Sequence, residues 1–353
     1  MNRHEKALEI LHNGTVIPAN PLALDKDRKY NEKRQRAITR YYLDAGSGGV
    51  AVAVHTTQFE IRQPQYNLFE TVIATVSDEI EKYEKENDKV VVKVCGVCGK
   101  TEQAVSEALL AKKYGYDAVL LSPGGLNDFD EDYMVERTEA VARVMPVIGF
   151  YLQTAVGGRY FTYNYWQRIC AIDNVVAIKS APFNRYATLD LVRAAAMSER
   201  CDKIALYTGN DDNIVTDLVT GYKFTVDGET YYKRFVGGLL GHWSVWTKKA
   251  VEMFEKLKAC AESRQVPYEV LELANEVTDT NAVFFDAANN FAGCIAGLHE
   301  VLRRQGLFEG TWCLNPDEKM SDGQKEEIDR VYKMYPHLND DDFVKANLDK
   351  WIK

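Results

Sequence analysis

The chain has 353 residues, 46% hydrophobic and 27% charged, enough for one large α/β barrel or two ordinary domains with a substantial core. Its net charge of -9, with lysine and arginine scattered rather than clustered, argues against a nucleic-acid partner, because phosphate-backbone binding needs a basic patch. The opening MNRHEKALEILHNG lacks the apolar core of a signal peptide, and no run approaches the roughly 20 apolar residues of a spanning helix, so the expected setting is cytoplasmic, without a membrane role.

In chain order, short β-branched runs alternate with longer amphipathic segments. The predicted strands are GTVIPAN (14–20), GVAVAVH (49–55), KVVVKVC (89–95), DAVLLSP (117–123), PVIGFYL (146–152), NVVAIKS (174–180), KIALYTG (203–209) and RFVGGLLG (234–241). Between them, NEKRQRAITRYYLDAG, TEQAVSEALLAKKYG and TLDLVRAAAMSER read as helices, with polar caps at the start and glycine stops at the ends of the first two. Eight βα units predict a (β/α)8 TIM barrel over residues 12–262. A doubly wound sheet is the competitor, but no GxGxxG follows the first strand. YKFTVDGETYYKRF (222–235) reads as a hairpin around Asp227-Gly228, inserted before the eighth strand. Residues 263–353 read as a helical extension packed on the barrel.

Seven cysteines, an odd number spread from Cys95 to Cys313, do not form a disulfide framework. Cys95 and Cys98 in CGVCG have redox-like spacing, but Cys95 closes a predicted strand and no second Cys/His cluster completes a zinc site.

A barrel of this kind carries its active site at the C-terminal ends of its strands, which here include Asn20, His55, Thr56, Thr57, Cys95, Ser122, Tyr151, Lys179, Asn210 and Asp211. Lys179 ends an otherwise apolar strand, where burying its charge unpaired would cost several kcal/mol. Alternation places Val175, Ala177 and Lys179 on one face; if that face is the interior, desolvation lowers the lysine pKa and makes the amine a nucleophile for a carbonyl. Otherwise Lys179 snorkels to a carboxylate. Tyr151, on the neighbouring strand, is a candidate proton shuttle or a core tyrosine. Thr56 and Thr57 suit a substrate carboxylate or simple turn chemistry.

Taken together, GTVIPANPL, GVAVAVHTTQFE, PVIGFYL, NVVAIKSA, YTGNDD and LRRQGLFEGTWCLNPDEKMSDGQKEEI resemble the dihydrodipicolinate synthase/N-acetylneuraminate lyase family across most of residues 13–335. The resemblance implies a barrel with extra C-terminal helices, a homo-oligomer (dimer or tetramer), and a class I lyase, aldolase or dehydratase acting on a 2-oxo acid or sugar acid. Lys179 then matches the Schiff-base lysine and Tyr151 the proton-moving tyrosine. Thr56 and Thr57 match the pair that serves the substrate carboxylate and the proton relay, with His55 and Asn210 as further substrate contacts. No cofactor or metal is implied, because the imine on Lys179 is the electron sink.

Several positions depart from the family pattern. His55 replaces the glycine before the threonines, Gln58-Phe59 replace the Gly-Glu after them, and Pro123-Gly124-Gly125 stand where the relay tyrosine is expected. Val156 stands where the synthase has a carboxylate-binding arginine, leaving Arg62 and Arg159 as possible replacements. These changes argue against the dihydrodipicolinate synthase reaction and leave lyase, dehydratase and non-catalytic binding readings open. The glycine-rich GGLLG (237–241) suggests either a phosphate cradle or close packing.

Overall fold

The computed structural model describes residues 1–353. Nine strands form: β1 (Val16–Pro18), β2 (Gly49–Val52), β3 (Val92–Val97), β4 (Ala118–Leu121), β5 (Val147–Leu152), β6 (Val175–Ala181), β7 (Ala205–Thr208), β8 (Gly221–Val226) and β9 (Glu229–Leu240). All except β8 pair in parallel in the order β1-β9-β7-β6-β5-β4-β3-β2, a nearly closed barrel with alternating helices, as the repeated βα pattern predicts. The seam lies between β1 and β2, where Ala19 and Ala51 make an isolated bridge and the Asn20 amide donates to Ala51 O at 2.7 Å.

The predicted hairpin forms as read. β8 runs antiparallel to the first half of β9 around Asp227-Gly228, both at positive φ, and the second half of β9 is the eighth barrel strand. In GGLLG, added Cβ atoms on Gly237 and Gly238 would collide with Thr15 and Trp243, so close packing accounts for these two glycines.

The barrel interior is filled by small and branched side chains from alternate strand positions, among them Ile17, Ala51, Val94, Leu120, Ile148 and Ala177. The helix Arg3–Asn13 lies across the N-terminal end and contributes Ala7 and Leu11 to that core. Arg3 fixes it there by pairing with Glu84 at 2.8 Å and with buried Asp117, and the Tyr207 hydroxyl donates to Leu11 O at 2.7 Å.

Between β5 and β6 the register slips: Val147 faces Val175, but Ile148 faces Ala177. Val176 is the extra residue of a β-bulge. Simple alternation puts Val175 on the same face as Ala177, whereas the bulge turns Val175 into the outer layer and leaves Ala177, Lys179 and Ala181 pointing inward.

After the barrel's last helix, Thr247–Ser263, come helices Tyr268–Phe284, Cys294–Arg304, Gln324–Met334 and Asp341–Trp351. They share one apolar core with the barrel's outer layer: Trp246 packs edge-on against Phe284 at 5.0 Å, and Trp351 packs at a tilt against Tyr41 at 5.5 Å. No helix is long and apolar enough to cross a membrane.

Candidate active site

One small, partly open cavity of about 60 Å³ lies at the C-terminal ends of the strands. Its ionisable wall groups are His55, Lys179, Asp211 and Cys294.

Lys179 reaches the cavity because its neighbours are shaped for it. The next strand in the barrel, β7, is followed directly by Gly209, where an added Cβ would overlap Lys179 Cε and lie 3.1 Å from Cγ. On the other side, the Lys179 ammonium sits 4.5 Å from the centroid of the Phe150 ring, its register partner on β5. The amine is enclosed by protein and touches solvent through the cavity; burial lowers its pKa to about 8, against the opposing charge of Asp211. The Asp211 carboxyl is raised to about 7 by burial, opposed by Lys179. Each group's charge favours the charged form of the other, so their titrations are linked. His55 is held down to about 4 by burial, with the Lys179 charge adding to it, so its imidazole is neutral.

Tyr151 is not part of this wall. Strand pleating gives Ile148, Phe150 and Leu152 to the interior and Tyr151 to the outer layer, where it packs on Trp166 at 5.1 Å and its hydroxyl accepts from the Phe161 amide at 3.2 Å. The expectation that its phenol reaches Lys179 is therefore corrected: adjacency of strands brings the backbones together, but the side-chain face is set by alternation, and Phe150 takes the inward place.

The two threonines occupy a short 3-10 turn, His55–Thr57. Thr56 lines the cavity, and its hydroxyl donates to Ala19 O at 2.8 Å. Thr57 is fully buried behind it, and its hydroxyl donates to Asn20 O at 2.6 Å. Both hydroxyls thus tie the turn across the barrel seam. Asn20 is locked in turn, accepting from Gln35 at 2.9 Å and donating to Thr39 at 3.0 Å.

Asn210 lies outside the cavity wall. It accepts from the Phe183 amide at 3.2 Å and donates to Asp217 at 2.9 Å, fixing the loop that presents Asp211 and Phe183. Phe183 sits at φ 50°, a strained conformation held by that bond. The two arginines proposed as replacements are committed elsewhere. Arg62 pairs with Glu107 at 2.9 Å and donates to Gly96 O at 2.8 Å, while Arg159 bonds the carbonyls of Leu126 and Phe129 and stacks on Phe161.

Sequence reasoning missed the roof. Phe285, Phe291 and Cys294 come from the C-terminal segment and close over the strand ends, with Phe291 edge-on to Phe183 at 5.7 Å. Asp286 pins this segment by accepting from Asn289 at 2.7 Å, the Gly293 amide at 2.9 Å and Ser321 at 2.5 Å. Nothing in local sequence pattern relates position 291 to position 183.

The family model of the Dihydrodipicolinate synthetase family matches residues 13–228. The chain belongs to this family. Its members are class I aldolase-type lyases. Among curated relatives, the 4-hydroxy-tetrahydrodipicolinate synthase of Desulforudis audaxviator (strain MP104C) is 28% identical over 221 residues, 60% of this chain and 68% of that protein. The enzyme of the same name from Clostridium novyi (strain NT) is 29% identical over 197 residues, 56% of this chain and 62% of its own length, so less than two thirds of that relative is matched.

Solved structures of the family extend the likeness to nearly the whole fold. A dihydrodipicolinate synthase from Oceanobacillus iheyensis superposes with a TM-score of 0.73 at 15% identity, covering 95% of this chain and all of that one. The N-acetylneuraminate lyase from Fusobacterium nucleatum gives 0.70 at 18%, covering 92% and 99%. At such identities the likeness is one of fold.

Proposed function

We propose that the protein is a Schiff-base-forming lyase or aldolase that condenses Lys179 with a 2-oxo acid, pyruvate or a pyruvate-yielding substrate. The observation that carries this reading is the inward Lys179 amine, its pKa brought down to about 8 by burial, facing a cavity at the strand ends. The neutral amine adds to the C2 carbonyl, water leaves, and the iminium withdraws electrons from the bond to C3. Removing a C3 proton gives the enamine, whose C3 forms the new carbon–carbon bond in the synthetic direction; the reverse sequence cleaves it.

Asp211 is the group suited to move those protons, because it shares the cavity with Lys179 and titrates near neutrality, whereas Tyr151 faces away. Neutral His55 and the turn carrying Thr56 stand beside the amine as hydrogen-bonding groups for the substrate carboxylate, with Thr57 holding that turn in place.

The test is borohydride trapping with pyruvate followed by peptide mass spectrometry. A reduced adduct on Lys179, absent in Lys179→Ala, supports the reading; folded protein giving no adduct with pyruvate or other 2-oxo acids overturns it.

A further inference from the structure

We infer that the part of the substrate beyond the 2-oxo acid unit is an uncharged aromatic group, so that the second reactant in the synthetic direction is an aromatic aldehyde. This rests on the imine reading above and concerns the outer half of the same cavity.

The charge of the wall excludes an anionic partner. Its only strong cation is Lys179, whose iminium charge is already matched by the carboxylate of the 2-oxo acid it binds, and its one carboxyl group is Asp211. Arg62 and Arg159 are held by Glu107 and by backbone carbonyls away from the cavity. A second carboxylate or a phosphate would enter an enclosed site with no further counter-ion and an acidic neighbour.

The hydrogen-bonding capacity of the wall excludes a polyol. Once neutral His55 and the backbone of the turn carrying Thr56 serve the substrate carboxylate and Asp211 serves proton transfer, Gln153 is the remaining strong polar side chain, because the Thr56 hydroxyl already donates to Ala19 O. A sugar chain would surrender several bonds to water and recover few, which disfavours its entry.

The remaining surface is shaped for a ring. Phe150, Phe183, Phe285 and Phe291 all line the cavity, together with Leu152 and Val156. Phe183 and Phe291 meet at 68°, an edge-to-face pair that a further ring can extend, and both are held in place by the loop bonds of Asn210 and Asp286.

In the forward step, the enamine C3 attacks the aldehyde carbon and the carbonyl π electrons become an alkoxide that takes its proton from Asp211. Water then hydrolyses the iminium, freeing Lys179 and releasing a 4-aryl-4-hydroxy-2-oxo acid. Pyruvate and aldehyde supply all its atoms, and the water lost in forming the iminium is regained in its hydrolysis.

The experiment incubates the full-length protein with pyruvate and, separately, benzaldehyde, D-glyceraldehyde or succinic semialdehyde, following product by mass spectrometry, with borohydride trapping of pyruvate alone in parallel. The expected result is a Lys179 adduct together with a kcat/KM for benzaldehyde at least tenfold above either competitor. An adduct with equal or better use of glyceraldehyde or succinic semialdehyde, or no aldol product from any of them, overturns the aromatic assignment while the lysine chemistry stands. Absence of the adduct overturns both. Phe291→Ala, checked for folding by thermal melting, is expected to reduce the benzaldehyde-to-glyceraldehyde ratio at least fivefold; an unchanged ratio would also count against the assignment.

Discussion

Gly209 lies flat against the aliphatic stem of Lys179. A methyl group at position 209 would overlap Lys179 Cε and come within 2.9 Å of Ala181 Cβ. Gly209→Ala is therefore expected to turn the amine out of its place, lowering the rate of borohydride trapping with pyruvate at least tenfold, with an overpacking cost of about 1–3 kcal/mol in unfolding experiments. A trapping rate equal to that of the native protein would show that the glycine does not position the lysine.

The Lys179–Asp211 system sets a pH dependence with two arms. Asp211 holds its proton up to about 7 in the folded chain against an ordinary value of 3.8, so between these values the folded state binds more protons and its stability falls as pH rises. Lys179 releases its proton near 8 against an ordinary 10.5, so above about 8 the unfolded chain binds more protons and stability rises again. Compared with a Lys179→Met/Asp211→Asn double variant, the native protein's melting temperature should pass through a relative minimum between about pH 7 and 8. A flat difference across pH 4 to 10 would contradict the burial of the pair.

Asp211→Asn alone removes the negative charge that supports the lysine's protonated form. The pH at which trapping reaches half its maximum is expected to move below about 8, while turnover in the aldol direction falls by about two orders of magnitude, within the ordinary range for loss of a general acid/base. Retained turnover would remove Asp211 from the proton path.

Tyr151→Phe deletes only the acceptor for the Phe161 amide. Its expected signature is a stability loss of about 1–3 kcal/mol from an unsatisfied buried N–H, with kcat within threefold of native. A hundredfold loss of kcat in folded protein would restore the phenol to the reaction.

Arg62→Ala separates an arginine that supports the fold from one that would bind substrate. It removes the cation paired with Glu107, buried at 8% side-chain exposure and left with hydrogen bonds from Gln103 and the Cys98 amide, and is expected to destabilise by roughly 1–3 kcal/mol, with the KM for pyruvate unchanged below the melting temperature. A rise in KM without loss of stability would point to a substrate contact instead.

The barrel, the hairpin at Asp227-Gly228 and the lysine at a strand end were legible because each is written in local pattern: period-two runs, a turn dipeptide, a charge closing an apolar stretch. The inward face of β6 was only half legible. Lys179 and Ala177 point inward as read, but Val176 bulges and throws Val175 outward, a register event visible only against β5. Tyr151 shows the same limit: whether a residue at a strand end faces the interior depends on a phase that strand adjacency alone does not fix. Asp211 appeared among the strand-end polar residues, but its link to Lys179 depends on burial, and the roof residue Phe291 lies more than a hundred residues from Phe183, the ring it meets.

The helix across the N-terminal end makes the barrel a cul-de-sac. With Ala7 and Leu11 filling its floor, and with Phe285 and Phe291 narrowing the other end, everything that enters or leaves shares one doorway. Under the proposed chemistry, the water expelled when the imine forms and the aldehyde that follows must pass the same rings, and an aldehyde already lodged there blocks the way to the amine. The order of binding expected from that chemistry is 2-oxo acid before aldehyde.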